Sequence, residues 1–308
     1  MATLRVDRVT KRYGSFTAVD NVTFAAQEGR ILGLLGPNGA GKTSTIRMIT
    51  YITVPDEGKV TLGGEPVGPW SQERMGYLPE ERGLYKKLKV GEQLVYLAEL
   101  KGMSASDAKP KIDYWLERFD AADWKKKKVQ ELSKGMQQKV QFIATILHDP
   151  SLLILDEPFS GLDPINSELL REIIYELKDD GRTILFASHR MEQVEQLCDD
   201  ICLIANGQIL VNGPLRDVKR QFGRNTVTIE FDGDAAFLDG LERDGLVRVG
   251  MRSHNRAEMR LLNKTKPIQV MQAAMPHLND LSVFDVSEPP LNEIFITLVE
   301  QQKATQAT

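Results

Sequence analysis

The chain has 308 residues, and 39 lysines and arginines against 43 aspartates and glutamates give it a formal net charge of −4. Its composition, 42% hydrophobic and 27% charged, excludes a wholly disordered chain. The acidic balance argues against a protein that coats nucleic acid, and two cysteines are too few for a disulfide-built fold. The length favours two domains.

The first predicted elements indicate an α/β fold. Alternating apolar and polar residues at 4–9 predict a half-buried strand, and a second strand is predicted at 18–24. The apolar run at 30–36 is typical of a strand buried on both faces, and a helix is predicted directly afterwards at 43–50. A strand, a glycine-rich loop and a helix in this order favour layered α/β architecture.

The rest of the chain divides into three parts. Helical spacing predicts a mostly helical insertion at about 84–148, and strands then alternate with helices over 152–205. Asn206 and Gly207 predict a hairpin turn. From residue 223 the predicted order is βαββαβ, which is typical of a small α+β, ferredoxin-like unit. We therefore predict domains at 1–222 and 223–308.

Residues 36–43 match the phosphate-loop pattern G-x-x-x-x-G-K-[ST] at every fixed position. The glycines allow a tight turn whose N–H groups converge on an anion, and the following helix adds its positive end. Lys42 is expected to reach the β- and γ-phosphates, and the Thr43 hydroxyl is expected to bind Mg²⁺. The predicted nucleotide-binding residues here are Gly36, Pro37, Asn38, Gly39, Ala40, Gly41, Lys42, Thr43 and Ser44.

A second group of polar residues follows two later apolar strands. Asp156 and Glu157 end the run at 152–155, and ligands lie at such strand ends in parallel sheets. We expect Asp156 to hold Mg²⁺ and Glu157 to act as the general base for the attacking water. His189 follows the strand predicted at 183–187 and is expected to orient that water beside the γ-phosphate. The catalytic residues are therefore predicted to be Glu157, His189 and Lys42.

Between these motifs, residues 132–138 read L-S-K-G-M-Q-Q. This segment resembles the L-S-G-G-Q signature of ABC-type ATPases. The phosphate loop and the acidic strand also resemble motifs of that family. The resemblance covers residues 1 to about 220. It implies an ABC ATPase fold, a P-loop core with an antiparallel β subdomain and a helical insertion, and it implies that Tyr13 stacks on adenine.

The resemblance also implies how two chains cooperate. The family's signature and D-loop residues contact nucleotide across a head-to-tail homodimer, with two ATP·Mg²⁺ between the subunits. The corresponding positions here are Ser133, Lys134, Gly135, Met136 and Asp163. Ser133 precedes a predicted helix, whose positive end would form the second anion site.

Three positions depart from the family pattern. Lys134 replaces a glycine and Met136 replaces the glutamine of the signature, although backbone donors survive both changes. Glu80 stands where most members carry a glutamine that approaches Mg²⁺, in a loop that faces the membrane subunit. A carboxylate can still bind Mg²⁺, and we predict the metal ligands to be Thr43, Glu80 and Asp156.

The segment at 76–88 and the sequence P-L-N-E-I-F at 290–295 resemble the sodium-extrusion branch of the family. This resemblance implies an exporter ATPase that drives a separate ABC-2-type permease, with sodium as a candidate substrate. We do not expect the charged N-terminal segment to be a signal peptide, and no run of residues is predicted to span a membrane. We expect a cytoplasmic protein bound to the inner face of the membrane through its permease, with no nucleic acid partner.

Other interpretations stay open at this stage. A soluble ATPase of the same superfamily could act on DNA or ribosomes, or the chain could sense nucleotide without appreciable turnover. The basic run at 125–128 fits a solvated loop better than a contact with lipid headgroups or nucleic acid. Cys198 and Cys202 are spaced like metal ligands, but their apolar surroundings favour core packing.

Overall fold

A computed structural model describes residues 2–81 and 83–306 and shows two separately packed units. The first unit extends to Pro214 and the second begins at Leu215. The helix α7 (Leu215–Gln221), which the sequence analysis did not assign, belongs to the second unit and buries Val218. Within the described residues, no helix is long and apolar enough to span a bilayer.

The first unit is built on a six-stranded sheet in the order β10-β9-β3-β8-β7-β6. Strands β3, β6, β7, β8 and β9 run parallel, and the edge strand β10 pairs antiparallel to β9 through the predicted Asn206-Gly207 turn. The strand bounds are β3 (Ile31–Leu35), β6 (Met75–Leu78), β7 (Leu152–Asp156), β8 (Thr183–Ser188), β9 (Asp200–Ala205) and β10 (Gln208–Pro214).

The central strands are continuous apolar runs because both of their faces are covered. Every residue of β3, β7 and β8 is buried. Gly33 lies where helix α6 (Met191–Leu197) packs on β3, since an added Cβ would stand 2.8 Å from the Val194 side chain. Three helices follow strands of this sheet along the chain: α1 (Lys42–Ile49) after β3, α5 (Pro164–Asp179) after β7 and α6 after β8.

An antiparallel sheet, ordered β2-β1-β4-β5, shares the core of the first unit. Its strands are β1 (Ala2–Tyr13), β2 (Phe16–Gln27), β4 (Glu57–Leu62) and β5 (Glu65–Pro66). Strands β1 and β2, whose buried residues alternate, were predicted from the sequence, whereas β4, β5 and β6 were not. Strand β4 carries a glycine and has few buried residues, and β5 and β6 are too short to show a pattern.

The predicted helical insertion contains α2 (Val90–Glu99), α3 (Ala105–Arg118) and α4 (Lys134–Ile146). An edge-to-face contact between Phe119 and Phe142, with ring centroids 5.9 Å apart, joins the end of α3 to α4. Both rings are fully buried. The insertion therefore has its own apolar packing, and α4 connects it to the parallel sheet at β6.

The second unit has a four-stranded antiparallel sheet in the order β12-β13-β11-β14. With α8 and α9 between the strands, this is the predicted βαββαβ order of a ferredoxin-like unit. The bounds are β11 (Thr226–Gly233), α8 (Ala236–Arg243), β12 (Val247–Arg252), β13 (Arg256–Leu261), α9 (Pro267–Ala274), β14 (Leu278–Ser287) and α10 (Leu291–Gln306). The predicted fold class, an α/β core with a small α+β unit, is confirmed.

Candidate nucleotide-binding and hydrolysis site

Four parallel strands end at the same edge of the six-stranded sheet, and each has a predicted site residue at its end or shortly after it. The phosphate loop follows β3, Glu80 lies two residues after β6, and Asp156 ends β7. His189 follows β8 directly. The register β3–β8–β7–β6 brings these ends together, as expected for a ligand site in an open parallel sheet.

Two glycines of the phosphate loop cannot be replaced by a residue with a side chain, because an added Cβ would clash with the backbone. Gly36 has φ 152°, and a Cβ there would stand 2.1 Å from the Ile204 carbonyl oxygen. Gly41 has φ 107°, and a Cβ would meet the Ala18 carbonyl oxygen at 2.4 Å. The loop therefore passes close to β9 and β2 before α1 begins at Lys42. The first N–H groups of α1 have no partner within the helix and can bind an anion.

Lys42 folds back over its own loop. Its Nζ donates hydrogen bonds to the carbonyl oxygens of Gly36 at 2.6 Å and Pro37 at 3.1 Å. Burial lowers the pKa of Lys42, whereas the nearby carboxylates of Glu157, Asp156 and Glu80 raise it. This ammonium group is held in place and can balance phosphate charge at the mouth of the loop.

Asp156 is buried among other acidic groups. Its pKa is raised from 3.8 to about 6, first by burial and then by the charges of Glu80 and Glu157, with Lys42 acting in the opposite direction. A bound divalent cation would stabilise the ionised form of this carboxylate. Its neighbours Thr43 and Glu80 supply further hard oxygen donors, which suits Mg²⁺. No set of three or more acidic, histidine or cysteine groups in the described chain could hold a metal alone; Mg²⁺ commonly relies on phosphate oxygens and water instead.

Glu157 is held by three hydrogen bonds. Its Oε1 accepts from the backbone N–H of His189 at 2.8 Å and lies 2.6 Å from the ring Nδ1 of His189. Its Oε2 accepts from the Ser188 hydroxyl at 3.1 Å. The carboxylate is thus fixed at the end of β7, and the sequence analysis missed Ser188, whose position directly before His189 was the available signal.

The backbone of Glu157 is itself unusual, with φ 49° in the left-handed region. A non-glycine residue adopts this conformation at a cost, and such strain concentrates at functional sites. The side chain is only 10% exposed. A strained, buried and firmly hydrogen-bonded carboxylate at this edge fits the polarising role predicted for Glu157.

These groups surround one cavity of about 240 Å³. At its outer rim stand Tyr13 and Phe16, paired across the β1–β2 turn, with 46% and 61% of their surfaces exposed. Phe16 was not predicted from the sequence, and its place three residues after Tyr13 was the available signal. The cavity lining is Tyr13, Phe16, Ala18, Asn38, Gly39, Ala40, Gly41, Lys42, Thr43, Ser44, Glu80, Asp156, Glu157 and His189.

The predicted signature residues lie outside this cavity. Ser133 caps α4, and its hydroxyl accepts from the Met136 N–H at 3.3 Å. Ser133 and Lys134 are exposed, and Gly135 packs so closely on the next loop that a Cβ would stand 3.0 Å from the Gly161 carbonyl oxygen. The positive end of α4 is therefore open to solvent, where a ligand held by another molecule could reach it.

Asp163 also lies outside the cavity. It caps α5, accepting from the Asn166 N–H at 2.9 Å, and this hydrogen bond holds the Asp163 pKa below its usual range. Gly36 and Pro37 are absent from the lining too, but their carbonyl groups hold Lys42. Arg82, in the loop after Glu80, lies outside the described residues.

Helix α4 is hydrogen-bonded to both acidic loops of the site. Gln138 Nε2 donates to the Pro158 carbonyl oxygen at 2.9 Å, just after Glu157. Gln141 Nε2 donates to the carbonyl oxygens of Pro79 and Glu81, at 3.5 and 3.4 Å, on either side of Glu80. The helix that begins at Lys134 is thus tied to the loops that carry Glu157 and Glu80.

A phosphate loop, a buried aspartate for Mg²⁺ and a positioned glutamate at one sheet edge define a P-loop nucleoside triphosphatase. Comparisons with known proteins specify the family. A profile described as "ABC transporter" matches residues 19–160, and one described as "ATP-binding protein DrrA1-3-like, C-terminal domain" matches residues 213–299.

The chain is 46% identical over 296 residues to the uncharacterized ABC transporter ATP-binding protein YhaQ of Bacillus subtilis strain 168, covering 96% of this chain and 98% of that protein. It is 36% identical over 237 residues to Nod factor export ATP-binding protein I of Burkholderia orbicola, covering 76% and 78%. A solved ATP-binding subunit of an ABC transporter superposes with a TM-score of 0.68 at 33% identity, over 72% of this chain and 93% of that one.

This chain therefore belongs to the ABC transporter ATP-binding proteins, the cassettes that hydrolyse ATP to power transport.

Proposed function

We propose that this chain is the ATP-hydrolysing subunit of an exporter, that two copies enclose two ATP·Mg²⁺ head to tail, and that hydrolysis drives a separate ABC-2-type permease. The observation that carries the proposal is the single cavity shared by Lys42, Glu80, Asp156, Glu157 and His189. On this account the protein lies at the inner face of the cell membrane through its permease.

The residues of the cavity divide the work of hydrolysis. Lys42 and the N–H groups of the phosphate loop bind the β- and γ-phosphates, and Thr43, Asp156 and Glu80 provide oxygen ligands for Mg²⁺. Bound Mg²⁺ neutralises charge on the transferred phosphoryl group. Glu157 accepts a proton from the attacking water, and His189 holds the Glu157 carboxylate in position. Tyr13 and Phe16 offer aromatic surfaces to the adenine.

The head-to-tail dimer is supported by the exposed end of α4. Ser133 and Lys134 project to solvent outside their own chain's cavity, so a ligand for this helix end must come from another molecule. Removing the γ-phosphate would release the two halves. The links from Gln138 and Gln141 to the loops of Glu157 and Glu80 would couple that event to the rest of the subunit.

The permease contact is supported by a mainly apolar groove beside the Glu80 loop. It lies between the helical insertion and the parallel sheet, and it is lined by Thr50, Ile52, Gln72, Met75, Tyr77, Pro79, Gly83, Leu84, Leu97, Leu100, Lys101, Gln141, Ala144, Thr145 and His148. Ile52 and Leu100 are both 63% exposed at its rim. A permease segment bound there would contact Pro79, the residue directly before Glu80. Movement of Glu80 on nucleotide binding would therefore reach the permease.

The substrate is selected by the permease. The Burkholderia orbicola relative is named for Nod factor export, so the cassette alone is compatible with more than one cargo. Sodium export, suggested by the segment at 76–88, is our candidate, tested by sodium efflux from vesicles that contain the chain and its permease. ATP-dependent efflux of sodium would support that candidate, and export of another solute without sodium would refute it.

Co-purification from detergent-solubilised membranes tests the exporter assignment. We expect an integral membrane protein to copurify with the wild-type chain, and Ile52→Asp with Leu100→Asp to abolish this while the free subunit still hydrolyses ATP. Ile268→Asp, an exposed apolar position in the second unit, is the matched control and should retain the partner. Recovery of ribosomal RNA or DNA in place of a membrane protein would contradict the assignment.

A further inference from the structure

The helical insertion carries a surface that the nucleotide site does not use. Seven lysines from two separate segments meet there: Lys86, Lys87, Lys89, Lys125, Lys126, Lys127 and Lys128. We call this set the lysine patch. The sequence showed its second segment only as an isolated basic run, for which a solvated loop was the better interpretation.

The backbone joins the two segments. Lys89 and Lys128 form an isolated antiparallel bridge. On either side of it, the Val90 N–H donates to the Lys127 carbonyl oxygen and the Val129 N–H donates to the Leu88 carbonyl oxygen, both at 3.0 Å. The lysines therefore lie together because the fold pairs their segments, and their positions are held by main-chain hydrogen bonds.

Part of this charge has no ion-pair partner among the residues that the structure describes. Lys125 pairs with Asp113, Lys127 pairs with Asp123 at 2.6 Å, and Lys89 lies 3.5 Å from Glu92. Within the described part of the chain, no ion pair is found for four members of the lysine patch. These four are Lys86, Lys87, Lys126 and Lys128, and all of them are exposed. A cationic surface thus persists on a chain whose formal net charge is −4.

Exposed aromatic and aliphatic side chains stand among these lysines. Tyr85 is 53% exposed, Tyr96 is 42% exposed, and their rings contact edge to face with centroids 6.0 Å apart. Leu88 is also exposed, between Lys87 and Lys89. Tyrosine rings with apolar bodies and polar tips suit the headgroup level of a bilayer. Lysines with apolar stems suit the same depth.

The surface also continues into the groove assigned above to the permease. Leu84 lines that groove and Tyr85 follows it, while Leu97 lines it directly after Tyr96. A subunit docked on a permease through this groove would therefore hold the lysine patch close to the membrane plane.

From these observations we propose that the lysine patch, with Tyr85, Leu88 and Tyr96, binds the surface of an anionic bilayer directly. Anionic headgroups attract such basic segments and release them as salt rises. The orientation argument rests on the proposed function, but the binding itself needs no permease. It goes beyond the proposed function because it gives the cassette a second attachment to the membrane.

Flotation of the purified full-length chain with vesicles tests the proposal. We expect binding to equimolar phosphatidylcholine and phosphatidylglycerol and none to phosphatidylcholine alone, with loss at high salt. Replacing Lys86, Lys87, Lys126 and Lys128 by glutamine should weaken binding by about 600-fold, since each of the four lysines contributes about fivefold near an anionic surface. ATP hydrolysis without lipid should be unchanged.

A matched variant removes four exposed cationic side chains outside the lysine patch, namely Arg5, Lys59, Lys264 and Lys266. It should bind vesicles as the wild type does. Equal loss in both variants, equal binding to neutral vesicles, or no binding to anionic vesicles would overturn the proposal. So would patch-dependent binding to duplex DNA or RNA without vesicle binding, which would assign the surface to nucleic acid. A failed permease co-purification would leave each of these vesicle results unaffected.

Discussion

The contact between His189 and Glu157 permits a quantitative prediction for His189→Ala. The substitution removes the ring contact at 2.6 Å and leaves the His189 backbone N–H at 2.8 Å and the Ser188 hydroxyl at 3.1 Å. A hydrogen bond to a charged group contributes about 1.5–3 kcal/mol. Because the His189 side chain is 51% exposed, we expect the lower limit, about 1.5 kcal/mol, which is about tenfold in kcat.

Steady-state phosphate release and binding of a fluorescent ATP analogue separate the two effects. We expect kcat to fall about tenfold or more, with larger losses where the ring also contacts the γ-phosphate, while nucleotide affinity and thermal unfolding change little. His254→Ala, an exposed histidine of the second unit, is the matched control and should behave as wild type. A kcat within twofold of wild type, or a loss confined to ATP affinity, would refute the positioning role of His189.

Two further substitutions probe the same cavity. Burial and the charges of Glu80 and Glu157 together raise the Asp156 pKa from 3.8 to about 6. The folded state therefore binds this proton more tightly, and the free energy of unfolding falls as pH rises through that window. Asp156→Asn should therefore stabilise the ligand-free chain at neutral pH by up to about 3 kcal/mol, measured by calorimetry. The same substitution should abolish Mg²⁺-dependent hydrolysis. A melting temperature below that of the wild type would contradict the predicted stabilisation. Lys42→Met should lower ATP affinity about 10- to 100-fold in an equilibrium binding assay. The exposed control Lys59→Met should not change this affinity. Unchanged affinity in Lys42→Met would exclude Lys42 from phosphate binding.

The sequence predicted most of the fold where patterns were long or motifs were fixed. The buried runs of β3, β7 and β8 showed the parallel sheet, because both faces of these strands are covered. The short edge strand β6 was missed, since four residues show no period. Glu80 was therefore assigned from resemblance, and its place at the sheet edge became visible only through the pairing of β6 with β7.

Contacts between distant segments were outside the reach of the sequence. The spacing of Glu157 and Ser188 in the sequence does not predict the hydrogen bond between their side chains. That hydrogen bond forms because β7 and β8 are neighbours in the sheet. The pairing of Lys89 with Lys128 is of the same kind. A local pattern predicts an element and a motif predicts a chemistry, but tertiary pairing decides which side chains meet.

The most direct test of the central claim is sedimentation velocity of Glu157→Gln with ATP·Mg²⁺. The amide oxygen can still accept a hydrogen bond from the His189 N–H, but the amide cannot act as a base for the attacking water. Hydrolysis should therefore stop with ATP still bound. The account predicts an ATP-dependent dimer, which should be absent with ADP and absent when Ser133→Arg blocks the exposed end of α4. A Glu157→Gln chain that binds ATP and stays monomeric would contradict the account.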